Sequence, residues 1–214
     1  MWFKMKKIEV KPIIIAILLI VFQSILYALS KVFCITPHII GNKIDDLIPF
    51  TLIFIIPYVF WYLMLFIIPY KMYKEDKTNL YKYIITNVLT VIVANIIFIC
   101  YPTLVIRPEI TGNNILVLIT KFIYWIDTPA LNCFPSIHCA FSMLFILHIC
   151  TSKKHTKTFK IFTFITSILV MASTLLIKQH VIIDLISGDL IATIIFLIIR
   201  KERKLTNKVK QLVK

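Results

Sequence analysis

Glycine is scarce in this 214-residue chain, which has 3, and acidic residues are few, 10 against 24 Lys and Arg. Internal repeats, low-complexity tracts and polar stretches long enough to act as linkers are missing. A single domain over residues 1–214 is therefore the simplest organisation. The five cysteines, Cys34, Cys100, Cys133, Cys139 and Cys150, lack the paired spacing that holds a metal, and an odd number leaves at least one unpaired. Cys133 could meet Cys34 or Cys100, but apolar filling is the preferred role. No separate cluster of carboxylates offers a metal site.

Apolar residues dominate instead. A hydrophobic content of 59% and a mean hydropathy of +0.90 exclude an ordinary soluble domain and point to an integral, multi-pass membrane protein. Apolar runs at 12–33, 48–70, 83–101 and 159–177 approach or exceed the roughly 20 residues that span a bilayer, and shorter runs at 136–150 and 181–199 complete a set of six. The stretch 159–199 has no proline, and no glycine before Gly188; as one helix it would extend roughly 60 Å, about twice the hydrocarbon core. It must turn back, and Lys178-Gln179-His180 is the polar place to do so. The fold class expected is an all-α bundle of six transmembrane helices.

Charge orients that bundle. With a cytoplasmic N-terminus, the inner segments hold Lys4, Lys6, Lys7 and Lys11, then Lys71, Lys74, Lys77 and Lys82, then Lys153, Lys154, Lys157 and Lys160, and finally the basic tail 200–214. Lys31, Lys43, Arg107, Lys121 and Lys178 are left for the outer face. A bias repeated loop by loop is what the positive-inside rule predicts for both termini in the cytoplasm. The net charge of +14 is thereby a topology signal in contact with anionic headgroups, and no nucleic-acid partner is expected. The first run begins like a secretory signal, with Ala28-Leu29-Ser30 a passable cleavage site, but its length and the alternation of loop charge favour a retained helix.

Against this apolar background a few polar residues stand out, and Arg107, His138 and His180 all fall on the predicted outer side. Arg107-Pro108 opens the longest outer connection, 104–135, which also holds the turn Thr111-Gly112-Asn113-Asn114 and a run at 115–126 too brief to span. Tyr124 and Trp125 in that run suit the headgroup level. Pro135 and Ser136 suit the start of a helix, where free N–H groups favour an anion beside His138. His180 and Asp184 are four apart, on one face of a helix beginning at the turn, so the carboxylate can hold one ring nitrogen and leave the other to attack. Taken alone, that pair could equally serve packing; a second histidine adds a group to protonate a leaving oxygen. His38, Asp45 and Asp46 read as solvated loop residues, and Gln179 as a turn residue. Asp189 reads as a packing group, and His148 and His155 fall at the inner end.

The order Arg107-Pro108, then Pro135-Ser136-Ile137-His138, then Ser173, His180 and Asp184, in the last three helices of a six-span chain, resembles the type 2 phosphatidic acid phosphatase superfamily. The resemblance covers residues 100–188. That superfamily takes in lipid phosphate phosphatases, undecaprenyl-pyrophosphate phosphatases, soluble haloperoxidases and the phosphotransferases that make inositol phosphorylceramide and sphingomyelin. It implies that His180 is the nucleophile that becomes phosphohistidine, Asp184 its orienting partner, His138 the acid for the leaving group, and Arg107 and Ser136 phosphate ligands. It also implies a metal-independent reaction with no cofactor, on a phospholipid, lipid phosphate or prenyl pyrophosphate.

The chain departs from the family pattern at three positions. Cys100 stands where the first motif has a lysine, Thr174 where the last has an arginine, and Ile137 where a glycine is usual. A phosphomonoester carries close to two negative charges near neutral pH and a diester one, so a site short of two cations leans toward phosphotransfer; Lys178, two residues before His180, could restore one charge. The expected enzyme is a lipid phosphatase or phosphotransferase, leaning to the latter, at the outer face of the plasma membrane. The alternative is a catalytically weak relative that binds or moves anionic lipids.

Overall fold

The computed structural model describes residues 10–34 and 36–202. Lys4, Lys6 and Lys7, and the basic tail beyond Glu202, lie outside the described residues. The elements in order are α1 (Val10–Val32), β1 (His38–Ile39), α2 (Lys43–Leu47), a 3-10 turn (Leu52–Phe54), α3 (Ile55–Glu75), α4 (Lys77–Cys100), β2 (Thr103–Leu104), α5 (Ile115–Ile126), α6 (Ile137–Thr151), α7 (Lys157–Leu176) and α8 (Ile182–Lys201).

Five segments, α1, Leu52–Glu75, α4, α7 and α8, are long and apolar enough to cross a membrane. The sixth expected run is α6, which has 15 residues and packs against α7, α8 and α4. Buried residues lie all around α6, from Ile137 and Cys139 through Phe141, Leu144 and Phe145 to His148 and Ile149. It is thus the central post of the bundle, enclosed by protein. Its C-terminal end reaches the far end of the bundle, where Asn79 donates to the His148 carbonyl and Ser152 Oγ donates to Asp76.

Helix ends differ from the apolar runs because the lysines belong to the helices. α3 starts at Ile55, since the Thr51 N–H is bonded to the Leu176 carbonyl at 2.8 Å, and it continues through Lys71 and Lys74 to Glu75. Only Asp76 separates it from α4; its side chain caps the new helix at Asn79 N. Long lysine stems let their charged ends leave an apolar layer while the backbone stays helical.

The solvent of this bundle is read from its faces. Ile14, Ile17, Leu18 and Ile25 of α1, Ile161, Phe164, Ile165 and Ile168 of α7, and Ile186, Leu190, Ile194 and Leu197 of α8 all point outward. Thr86, Thr90, Ser142, Thr163, Ser167, Ser173 and Thr174 are buried. Apolar outside and small polar inside is the distribution expected of helices packed in lipid.

One end of the bundle is knitted together by loops. β1 and β2 pair in parallel, His38 with Thr103 and Ile39 with Leu104, and Leu104 bridges to Leu131. Thr103 Oγ1 accepts from Cys133 N at 3.1 Å and Phe134 N at 2.9 Å. The loop bearing Arg107 is thereby tied to the loop that starts α6.

α8 meets the start of α6 through Gly188. A β-carbon there would stand 2.4 Å from the Ser136 carbonyl oxygen and 3.2 Å from Ala140 N. Backbone cannot yield as a flexible side chain does, so Gly188→Ala is expected to push the helices apart at a cost of about 1–3 kcal/mol. Thermal unfolding in detergent checks this: a clearly lowered Tm is expected, and an unchanged Tm contradicts the close approach.

Candidate active site

The turn between α7 and α8 is built from backbone bonds before any side chain enters. The Thr174 carbonyl accepts from both Gln179 N (2.9 Å) and His180 N (3.0 Å), and Lys178 takes a left-handed φ of 53° as the helix ends. His180 therefore sits just before α8, whose N-cap is Val181. The expected link between His180 and Asp184 is present, but through capping geometry and not as two residues on one helical face. Asp184 Oδ2 accepts from Val181 N and from His180 Nδ1, each at 3.1 Å. That network assigns the proton to Nδ1 and leaves Nε2 of His180 with a free lone pair.

The segment Pro135-Ser136-Ile137-His138 is fastened to the His180 and Asp184 pair by main chain. Ser136 N donates to the Asp184 carbonyl at 3.0 Å, so the residue that starts α6 hangs on the one that orients His180. Ser136 Oγ accepts from Cys139 N as the N-cap of α6 and is fully buried. His138 follows on the first turn, its ring centroid 5.7 Å from that of His180. Trp61 at 4.3 Å and Tyr58 at 4.8 Å hold the His138 ring, and its Nε2 has no protein partner.

Two cavities meet at His180. One, of about 500 Å3, is lined by Arg107, Lys178, Lys43, Val105, Leu175 and the α2 region. The other, of about 330 Å3, is lined by His138, Gln179, Asp127, Tyr58, Trp61 and Tyr27. His180 lines both.

Arg107 lies over the Tyr124 ring, 4.8 Å from its centroid, and its fork is already engaged. One terminal nitrogen donates to the carbonyls of Asp127 (3.1 Å) and Tyr124 (3.4 Å), the other to the Asp127 carboxylate and Gln179 Oε1, and Nε is buried without a partner. A phosphate meeting this arginine would find Nε, or would displace Asp127 or Gln179. Lys178 Nζ lines the larger cavity and donates to the Asp45 carbonyl at 2.8 Å. Thr174, where a cation is missing, is fully buried, and its hydroxyl is 3.6 Å from Cys139 Sγ; Cys100 is exposed at the end of α4.

Three residues have roles the sequence reading missed. Asp45, expected to be solvated, is buried: its carboxylate accepts from Ile182 N at 2.8 Å and Asn42 N at 2.9 Å, capping the start of α8 from the far loop. Gln179, expected to serve only the turn, is buried and holds Arg107. Asp127 accepts from Tyr27 Oη at 2.7 Å and Lys31 Nζ at 3.1 Å as well as from Arg107. The one signal for it was its isolation, as the sole acid between Glu109 and Asp184. His148 is held between Asn79 and Thr86, and His155 on Glu75, at the opposite end of the bundle. The five cysteines are free, and among the described residues no group of three His, Cys, Asp or Glu side chains converges to hold a metal ion.

Burial by itself would raise the Asp127 carboxyl, but Arg107 and Lys31, with the Tyr27 hydrogen bond, outweigh it and hold it below its ordinary value of 3.8. A depressed carboxyl contributes stability that is fully present above about 3.8 and is lost as pH falls through the lowered folded value. Asp127→Asn is therefore expected to lower the Tm in detergent at about pH 6, with the gap from wild type narrowing below pH 3.8. A gap that stays constant down to about pH 3 contradicts the ion-pair account.

No curated protein and no solved structure matches this chain. The PAP2 superfamily matches over residues 80–206, more than half of the chain and all of the segment that carries Arg107, Ser136, His138, His180 and Asp184. This chain belongs to the PAP2 superfamily, that of the type 2 phosphatidic acid phosphatases.

Proposed function

We propose that this chain is an integral membrane enzyme that cleaves or transfers a phosphoryl group at a lipid headgroup through a phosphohistidine on His180. The observation that carries this reading is the His180 ring, oriented by Asp184 through Nδ1, with His138 at 5.7 Å and two cavities meeting at His180. The free Nε2 attacks phosphorus, the bond to the leaving oxygen breaks, and His138 delivers a proton to that oxygen. Asp184 stabilises the positive charge that grows on His180. Water or an alcohol then attacks the phosphohistidine, returning a proton to His138.

Lys178, Arg107 Nε and the first N–H groups of α6 are the groups for phosphate oxygens, while Ser136 acts by fixing the start of that helix. Transfer is favoured over simple hydrolysis on charge grounds. Cys100 and Thr174 remove two cations relative to the family pattern, and the Asp127 carboxylate lies against Arg107. A site with this balance discriminates less against the singly charged diester than a cation-rich one. The loop charges support six spans with both termini cytoplasmic and the site at the outer face of the membrane, where a headgroup enters while acyl or prenyl chains stay between helices.

Purified full-length protein tested with phosphatidate, a prenyl pyrophosphate and a labelled phospholipid plus an alcohol acceptor checks the reading. His180→Ala is expected to remove about three orders of magnitude or more of turnover, and His138→Ala about two to four. Equal turnover by wild type and His180→Ala would overturn it in favour of a protein that binds or moves anionic lipids.

A further inference from the structure

The smaller of the two cavities at His180 is lined by residues whose buried polar atoms the protein itself leaves unpaired. Trp61 Nε1, Asn132 Oδ1, His138 Nε2 and Gln179 Nε2 are all buried without a hydrogen-bond partner, and all four residues line this one cavity. Trp61, Asn132 and Gln179 are only 3%, 4% and 2% exposed. Each such orphan costs about 1–3 kcal/mol unless something in the cavity pairs with it. At about 330 Å3 the space is far larger than the roughly 10–15 Å3 a single water needs.

The chemistry of the lining selects the occupant. Trp61 and Gln179 offer N–H donors, Asn132 offers an acceptor, and His138 can take either role. Among the described residues lining it, the one carboxylate, Asp127, is already paired with Arg107 and Lys31, and there is no lysine or arginine. An anion gains little here, whereas a hydroxyl both accepts and donates. Gln23 and Ser24 extend the polar lining onto α1, whose other side chains Leu18 and Ile25 face outward. Polar residues within an apolar helix are costly and mark a pathway.

We infer that this cavity is the alcohol pocket of the enzyme: it binds a neutral, hydroxyl-bearing group beside His138 and so makes an alcohol, in preference to water, the acceptor of the phosphoryl group. The inference rests on the phosphohistidine reading above. In the step it serves, the alcohol oxygen bonds to phosphorus, the N–P bond to His180 breaks, Nε2 recovers its lone pair, and the hydroxyl proton passes to His138, which gave one up to the leaving oxygen earlier. Trp61, Asn132 and Gln179 position the alcohol and take no part in bond making.

The test reads a partition ratio, which does not depend on how much protein is folded. With labelled phosphatidate or a labelled phospholipid diester as donor, a newly formed phosphoester of the added alcohol is measured against hydrolysis product as the alcohol is raised. Glycerol supplies a free polyol, and a diacylglycerol in mixed micelles supplies a lipid alcohol. For at least one of them the ratio should rise and saturate in wild type, and should fall at least fivefold in Trp61→Phe and in Gln179→Glu. The latter keeps an acceptor for Arg107 while deleting the donor. Saturation with glycerol alone assigns a soluble polyol; saturation with diacylglycerol alone assigns a lipid alcohol. A ratio that rises without saturation and is the same in both variants overturns the pocket. If only hydrolysis product forms, and His180→Ala abolishes it, the pocket is overturned while the phosphoryl chemistry stands. Absence of any His180-dependent turnover of either donor overturns both.

Discussion

The Asp184 residue is the joint on which the site depends. Its side chain holds His180 Nδ1 and Val181 N, and its main-chain carbonyl holds Ser136 N. One buried residue thus fixes the orientation of one histidine and the position of the helix that carries the other. A carboxylate in such a place is tolerated only because it accepts hydrogen bonds, since an unpaired buried charge is far more costly than the bonds are worth. Gly188, one turn further along α8, lets α6 come close enough for the joint to close. Asp45 then caps the same helix start from a loop far away in sequence.

The bilayer explains why such a joint is needed. With apolar side chains facing outward on α1, α7 and α8, burial of apolar surface does little to choose one packing of these helices over another. Small residues and hydrogen bonds do the choosing: Gly188 against Ser136, Thr103 against Cys133 and Phe134, Asn79 against His148. The same bonds that specify the bundle bring His138, His180 and Asp184 together at one end of it. That family comprises phosphatases and phosphotransferases of phosphate esters.

Much of this was legible in the sequence, for physical reasons. Hydropathy located each long helix, because an apolar run has one stable use in lipid. It erred at the ends, where Lys71, Lys74 and Lys77 belong to helices that the run-length reading cut short. The turn at Lys178-Gln179-His180 was forced by bilayer thickness and is where the chain turns. The run at 115–126, read as too brief to span, is the 12-residue helix α5. What the sequence could not give were contacts across long separations. Asp45 reaches Ile182, Asp127 reaches Arg107 and Tyr27, and Gln179 reaches Arg107, none with a spacing that announces it. Arg107 shows the limit most clearly. Its identity suggested a fork held ready for phosphate, while its surroundings fill that fork with a carboxylate and an amide.

The central claim is that His180, oriented by Asp184, takes the phosphoryl group covalently. Rapid quench of the purified protein with a 32P-labelled lipid donor, followed by peptide mapping, tests it directly. The account predicts a label that is stable to base, labile to acid and located on His180, absent in His180→Ala and reduced in Asp184→Asn. A labelled adduct on another residue, or turnover with no adduct while His180→Ala retains full activity, would contradict it.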